Sequence, residues 1–562
     1  MSFELLGPYA LFIVETALIL AAVYVALFAP RAGDAFFRAI AAPLTRLARS
    51  PKLSLCVAGL APIVLRLLLQ PLLHTPQPFI HDEYAHLLAG DTFAHGRLAN
   101  VPHPLWIFFE SMHILQQPVY ASMYPPAQGL FLAAGQVLFG HPWAGVVISV
   151  GLMCAAVLWM LRGWFSPSWA LLGAALAVIR LGLFSYWMNS YWGGAPAAIG
   201  GALALGALPR LWKRSRPVDG ALLGLGLVLL ANARPFEGFF FSLPILAALL
   251  WRRPYLWRRS GAFVPLACVL AAGALATAYY NWRITGDPFQ LPEQLQRSQY
   301  GVYPNLIFQE SQPTPAYNHA VLGDFYVNRE ATYRFVPDSV GSFLQFLASR
   351  AETLWFFFLG PVLTLPLLCA PQALVRKKFA ILPACFLSLT AAVAIEAWVL
   401  NPHYYAPACC VIYACVVQSL RVLRLYTLRG RPFGLALVRM LPAICILMIG
   451  VRIAADPLHI PLLDFPFAWS GRSLGNYDRA GLLAALRAQP GKSLVIVRYS
   501  PVHNPEDEWV FNQADIDGSK VVWAREMEQG NDRLLDYFKD RSVYLIEPDS
   551  DRTRLRLYSP PD

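Results

Sequence analysis

Charged residues are scarce. Asp, Glu, Lys and Arg make up 14% of the 562 residues, where a soluble domain carries roughly a quarter. With 57% hydrophobic residues and a mean hydropathy of +0.46, that deficit excludes an ordinary soluble globular protein. Nine cysteines are present, and Cys56, Cys154, Cys268, Cys369, Cys385, Cys409, Cys410, Cys415 and Cys445 all lie in apolar runs. No CxxC pair occurs, which argues against a zinc site or a disulfide framework and makes them small core residues. No GxGxxG or phosphate loop is present, so nucleotide binding has no support. No repeat of fixed period is visible. Met1–Pro8 holds Glu4 and no basic residue, so the long apolar run after it reads as a retained span rather than a cleaved signal.

What is present is a series of apolar runs. They fall at about 9–29, 53–73, 143–161, 167–187, 195–212, 218–232, 235–250, 261–280, 350–370, 378–400, 405–420 and 433–453. A bilayer core needs about 20 residues of helix, so the expectation is a polytopic α-helical membrane protein with about 12–13 spans. The thirteenth candidate, 126–140, reads as a re-entrant or interfacial helix. The net charge of +11 would suit nucleic acid, but the basic residues sit in short clusters between apolar runs. These are Arg31–Lys52, Arg210–Arg216, Arg252–Arg259, Arg376–Lys378 and Arg421–Arg431. Such clusters mark cytoplasmic loops rather than a binding stripe. With twelve spans they share one side. The loops 74–142 and 281–349, the turns 189–194 and 232–237, and 401–405 then share the other. The loop 281–349 reads as an ordered flap with short helices. From about 456 helix and strand alternate, which predicts a small α/β domain over 456–562 on the same outer side, after a membrane domain over 1–455.

Candidate chemistry starts at Asp82 and Glu83, two carboxylates just past a span. An acid near hydrocarbon must be paired, hydrated or used. In an extended loop the two would point apart, one as general base and one holding substrate or a cation. At a helix start they would instead stabilise the helix dipole. The five-residue spacing of His81 and His86 does not put two ligands on one helix face, so no metal site is expected there, although a divalent cation stays open. Arg234, in Asn232-Ala233-Arg234-Pro235-Phe236-Glu237, suits either lipid headgroups or a phosphate. Arg66 and Arg180 lie inside spans and each needs an acid or a phosphate, with Glu15 and Glu396 as intramembrane acids. His403 and Tyr405, in Asn401-Pro402-His403-Tyr404-Tyr405, suit a phosphate, sugar hydroxyls or an aromatic belt. Asp515-Ile516-Asp517 has metal-motif spacing but reads as a turn.

The acidic pair after an early span, followed by Tyr124-Pro125-Pro126 opening an apolar helix, resembles the GT-C membrane glycosyltransferases. The closer resemblance is to the branch of the protein O-mannosyltransferases and the lipid A aminoarabinose transferase. Arg234-Pro235 and His403-Tyr404-Tyr405 resemble later loops of that family, and the resemblance covers roughly 53–455. It implies a polyprenyl-phosphate-linked sugar donor and an extracytoplasmic lipid, glycan or protein acceptor. Transfer would be inverting, in a bacterial inner or plasma membrane. Asp82 and Glu83 would be the catalytic pair, and Arg234, His403, Tyr124, Tyr405, Arg66 and Arg180 would bind substrate. The extra helix at 9–29 and the terminal α/β segment depart from the family pattern and bear on the acceptor. The competing readings are a transporter or flippase of a lipid-linked glycan and a non-catalytic envelope assembly protein. A transporter would show internal repeats and a midplane site, whereas the polar residues here gather on one face.

Overall fold

The computed structural model describes residues 7–251, 260–376, 379–463, 467–472 and 474–559. The chain is a polytopic α-helical membrane protein with a small C-terminal sheet domain. Among the described residues, seven helices are long and apolar enough to cross a membrane. They are Gly7–Phe28, Pro51–Leu68, Pro142–Trp164, Phe263–Thr285, Val340–Cys369, Pro402–Leu423 and Phe433–Ala455. Pro126–Phe139, Pro167–Leu181, Pro217–Ala233, Pro235–Trp251 and Ile381–Val393 are apolar but shorter. The run at 195–212 is the helix Ala195–Lys213, most of whose residues are buried in the bundle. Each expected apolar run is therefore helical, and those too short to span alone are packed against neighbours. Of the nine cysteines, Cys56 and Cys268 are exposed on the bundle surface instead of forming core. The basic residues Arg252, Arg253, Arg258 and Arg259, with Lys377 and Lys378, lie outside the described residues.

Close helix packing positions the loop 74–142. Pro126–Phe139 ends at Gly140, whose φ of 74° turns the chain back into Pro142–Trp164. These two helices touch at Gly135 and Gly145, where an added Cβ would come within 2.1 Å and 1.9 Å of backbone. Pro126–Phe139 also packs on the helix His81–Ala94. Phe263–Thr285 and Val340–Cys369 both reach further into the flap segment than the hydropathy alone suggested. The flap itself is ordered around Pro292–Tyr300 and a broken helix over 320–333. Arg297 makes two bonds to Glu330, at 2.5 and 3.0 Å.

The terminal domain is a four-stranded sheet, β3 (Lys492–Val497), β4 (Val521–Arg525), β5 (Arg541–Glu547) and β6 (Asp551–Leu557), in the order β4-β3-β5-β6. The first three strands are parallel and β6 is antiparallel to β5. In the outer loop, β1 (Ile114–Leu115) and β2 (Ala121–Ser122) form a short antiparallel pair. One face of the large sheet is buried on that loop. Leu494, Ile496, Val522 and Leu534 share a core with Ala85, Leu88, Phe108 and Tyr120. Burying such side chains contributes roughly 25 cal/mol per Å² of apolar area, so the sheet and the loop support each other. Arg525 crosses the boundary, paired with buried Glu508 at 2.5 Å and donating to the Glu110 carbonyl at 2.7 Å. Asp91 does the same, accepting from Gln136 at 2.7 Å and from the Ala514 N–H at 2.8 Å.

Candidate active site

Asp82 and Glu83 open the helix His81–Ala94, the arrangement that favours acids by the helix dipole. They are not in an extended loop, and their carboxylates do different things. Glu83 is 1% exposed. One of its oxygens accepts the Phe79 N–H at 2.8 Å and the Ile80 N–H at 3.3 Å, and the other accepts the Tyr191 N–H at 2.9 Å. It therefore caps its own helix and ties it to the turn at 189–194. Burial pushes its carboxyl up to about 7, against the pull of those three N–H groups.

Asp82 keeps partial exposure. The Tyr124 hydroxyl donates to one of its oxygens, and His113 Nδ1 stands 3.8 Å from the other. The same Tyr124 hydroxyl lies 3.2 Å from His113 Nδ1, and His86 stacks on the Tyr124 ring at 4.5 Å. Burial drives the His113 imidazole well below its ordinary range, with His81 and Arg297 adding to it. Burial likewise holds His86 at about 3, where Arg234 and His113 oppose protonation and Asp82 favours it. Asp82 thus sits among neutral polar groups. His113 is fixed by a positive φ of 61° and by its N–H bond to the Tyr326 hydroxyl of the flap, at 3.2 Å.

Arg234 ends the helix Pro217–Ala233 as the chain turns into Pro235–Trp251. Its guanidinium lies 3.5 Å from Glu237 and 4.8 Å from the Tyr404 ring centre. The Arg234–Tyr404 contact joins the segments 232–237 and 401–405, and the Arg234 charge opposes protonation of His86 in 81–124. His403 is held from both ends: its N–H donates to the Tyr186 hydroxyl at 3.1 Å, and its Nδ1 lies 2.8 Å from that oxygen. Trp192 stands over the His403 ring at 4.4 Å. The Tyr280 hydroxyl donates to the Tyr124 carbonyl at 3.0 Å, pinning the Tyr-Pro-Pro segment to a membrane helix.

Three expected substrate ligands go elsewhere. Arg66 is fully buried and donates to Asn189 at 2.6 Å, Gln70 at 2.9 Å and the His74 carbonyl at 2.6 Å, with Trp143 over its face. It anchors the turn whose Tyr191 holds Glu83. Arg180 is 1% exposed, paired with Glu15 and faced by Trp469 at 4.6 Å. Its acid is one of the two expected from the sequence, and the pair is buried inside the bundle. Tyr405 turns toward Phe386. Glu396 is not the acid for either arginine; its backbone carbonyl accepts from Arg350 at 2.7 Å. His86, His113, Tyr186 and Glu237 are the residues sequence reasoning did not select. The histidines in 74–113 were the signal for His86 and His113, although which of them faces Asp82 depends on folding; Tyr186 and Glu237 had none.

Among the described residues, no group of three or more His, Cys, Asp or Glu side chains is arranged to hold a metal ion, and no step below is routed through one. Asp515 accepts the Gly518 N–H at 2.9 Å, and Asp517 bonds His103 at 3.1 Å, so that stretch is a turn. A cavity of about 590 Å³ lies apart from Asp82, between Tyr9, Arg334, Phe346, Arg350 and Phe467.

No protein-family model matches the chain, and no curated protein matches it. Solved structures do. ArnT from Cupriavidus metallidurans bound to undecaprenyl phosphate matches with a TM-score of 0.47 at 12% identity, covering 91% of this chain and 94% of that one. The Archaeoglobus fulgidus oligosaccharyltransferase tethered with an acceptor peptide containing the NVT sequon matches with a TM-score of 0.45 at 14% identity. It covers 79% of this chain and 61% of that one. Both are GT-C superfamily members, the family that the sequence resembles.

Proposed function

We propose that the protein is an integral membrane glycosyltransferase that moves a sugar from a polyprenyl-phosphate carrier to an acceptor hydroxyl at the extracytoplasmic face. The observation that carries the reading is one carboxylate, Asp82, held by Tyr124 beside neutral His113 and His86. Arg234 and His403 converge on the same cluster from other segments. A base and a cation meeting near the ends of apolar helices, with no nucleotide motif, suit a lipid-borne phosphate leaving group.

In this mechanism the donor phosphate rests on Arg234, which neutralises the charge that grows as the bond to the sugar breaks. Asp82 accepts the acceptor's hydroxyl proton while that oxygen bonds the anomeric carbon. The bond from that carbon to the phosphate oxygen breaks, and the polyprenyl phosphate leaves. A single displacement inverts the centre, by the geometry that governs single-step glycosidases. Once Asp82 is protonated, the Tyr124 hydroxyl can donate to His113 Nδ1 instead, because the buried imidazole stays neutral. Glu83 and Arg66 are positioning residues for the helix that carries Asp82. The lipid tail lies along the bundle surface, and the acceptor is a lipid, glycan or protein.

The test uses membranes containing the full-length chain and a labelled lipid-linked sugar. Asp82→Asn should lower transfer by at least about 100-fold, the scale of general base catalysis. Turnover near the wild-type rate would remove Asp82 from the reaction. Movement of labelled lipid across the membrane without any new glycosidic product would favour the transporter.

A further inference from the structure

The segment between the first two spans is a helix, Asp34–Arg49. It leaves the end of Gly7–Phe28 and delivers the chain to the start of Pro51–Leu68. Both of its ends therefore lie at the same level of the bilayer, at the end of the bundle opposite Asp82. A helix so placed runs along the membrane surface.

Its faces are sorted. Phe36, Ile40 and Leu44 recur at every fourth position and are 62%, 41% and 49% exposed. Arg38, Arg46 and Arg49 are exposed on the polar side, and the Arg38 side chain is 70% exposed. The helix packs on Pro167–Leu181, and charged side chains hold it near its ends. Asp34 pairs with Arg439 of Phe433–Ala455. Arg162 of Pro142–Trp164 donates to the Ala48 carbonyl at 2.7 Å and to Ser54 at 3.0 Å. Among the described residues the apolar stripe keeps 41–62% of its surface uncovered, although the helix is fixed in place.

We propose that Asp34–Arg49 is a preformed docking surface for the anionic phospholipid leaflet on the side opposite Asp82. An amphipathic helix with an apolar stripe and arginines on its polar face binds in the plane of such a surface. The occupant follows from charge complementarity and from continuity with the two spans that flank the helix. Phe36, Ile40 and Leu44 enter the boundary between headgroups and acyl chains. Arg38, Arg46 and Arg49 meet the phosphates. The proposal is independent of the chemistry at Asp82.

The experiment is amide hydrogen exchange over residues 34–49 in the full-length protein, held in nanodiscs of phosphatidylcholine alone or enriched in phosphatidylglycerol. A basic residue near an anionic leaflet strengthens binding about five-fold, so exchange should slow by up to about five-fold per arginine in the anionic discs. The triple variant Arg38→Gln, Arg46→Gln, Arg49→Gln changes exposed side chains only. It should exchange alike in both discs. Equal exchange of the wild type in the two lipids would overturn the proposal. So would protection that rises with protein concentration at fixed lipid, which would make a second copy the occupant. A variant as protected in anionic discs as the wild type would also overturn it.

Discussion

The carboxylate of Glu83 is where two opposed effects can be weighed. Three backbone N–H groups hold it in the ionised form, and complete burial favours the neutral one. Burial is the larger, and it raises the group from 4.5 to about 7. The folded chain then holds this proton more tightly than the unfolded chain. The stability it contributes is complete below about 4.5 and is lost as the pH rises through about 7. A shift of about 2.5 units at 1.36 kcal/mol per unit is about 3 kcal/mol. Glu83→Gln cannot ionise, but its amide nitrogen cannot accept, so it leaves at least one of the three N–H groups without a partner at a pH-independent cost of about 1–3 kcal/mol. The variant should unfold below the wild type at pH 5 and narrow that gap by about 3 kcal/mol or less at pH 8.5. Thermal unfolding of detergent-solubilised protein across that pH range reads the difference. A gap to the wild type that is no smaller at pH 8.5 than at pH 5 would refute the reasoning. It would show that the three N–H groups outweigh desolvation and that the carboxylate is ionised in the fold.

Arg234→Ala should raise the donor KM by about 10- to 100-fold, the value of a charge-assisted phosphate contact, while Arg214→Ala, an exposed charge at the opposite end of the bundle, leaves it unchanged; initial-rate kinetics compare the two. Tyr124→Phe removes the hydroxyl that Asp82 accepts from but keeps the ring that His86 stacks on; kcat should fall about ten-fold with little change in KM. Arg525→Ala leaves Glu508 buried without its partner, which costs about 3–5 kcal/mol; faster limited proteolysis of 456–559 than in the wild type would report it.

The apolar runs were legible because hydrocarbon imposes a length and a composition that nothing else in the chain imitates. Arg180 inside a span announced a buried acid, and Glu15 is that acid. The alternation after 456 marked β3 and β4 because parallel strands buried on both faces read as short apolar runs, and β5 through the apolar residues Val543, Leu545 and Ile546. β6 escaped because an edge strand reading Asp-Arg-Thr-Arg-Leu-Arg-Leu carries charge where a central strand cannot. The helix Asp34–Arg49 passed for a basic loop, since a single apolar stripe interrupted by Pro43 is far weaker than a span. The site was half legible. Asp82, Arg234 and His403 are polar intrusions beside apolar runs. Which histidine reaches Tyr124 is set by a backbone with φ of 61° at His113 and by a flap some 200 residues further on, and no local pattern encodes either.

The core shared by the outer loop and the terminal sheet also orders events during synthesis. Ala85 and Leu88, on the helix that presents Asp82, find their apolar neighbours in Leu494, Ile496 and Val522. These emerge from the ribosome only after every span has been made. The loop must wait for them with its hydrophobic back uncovered, and the Asp82 helix takes its support from a stretch of chain translated some 400 residues later.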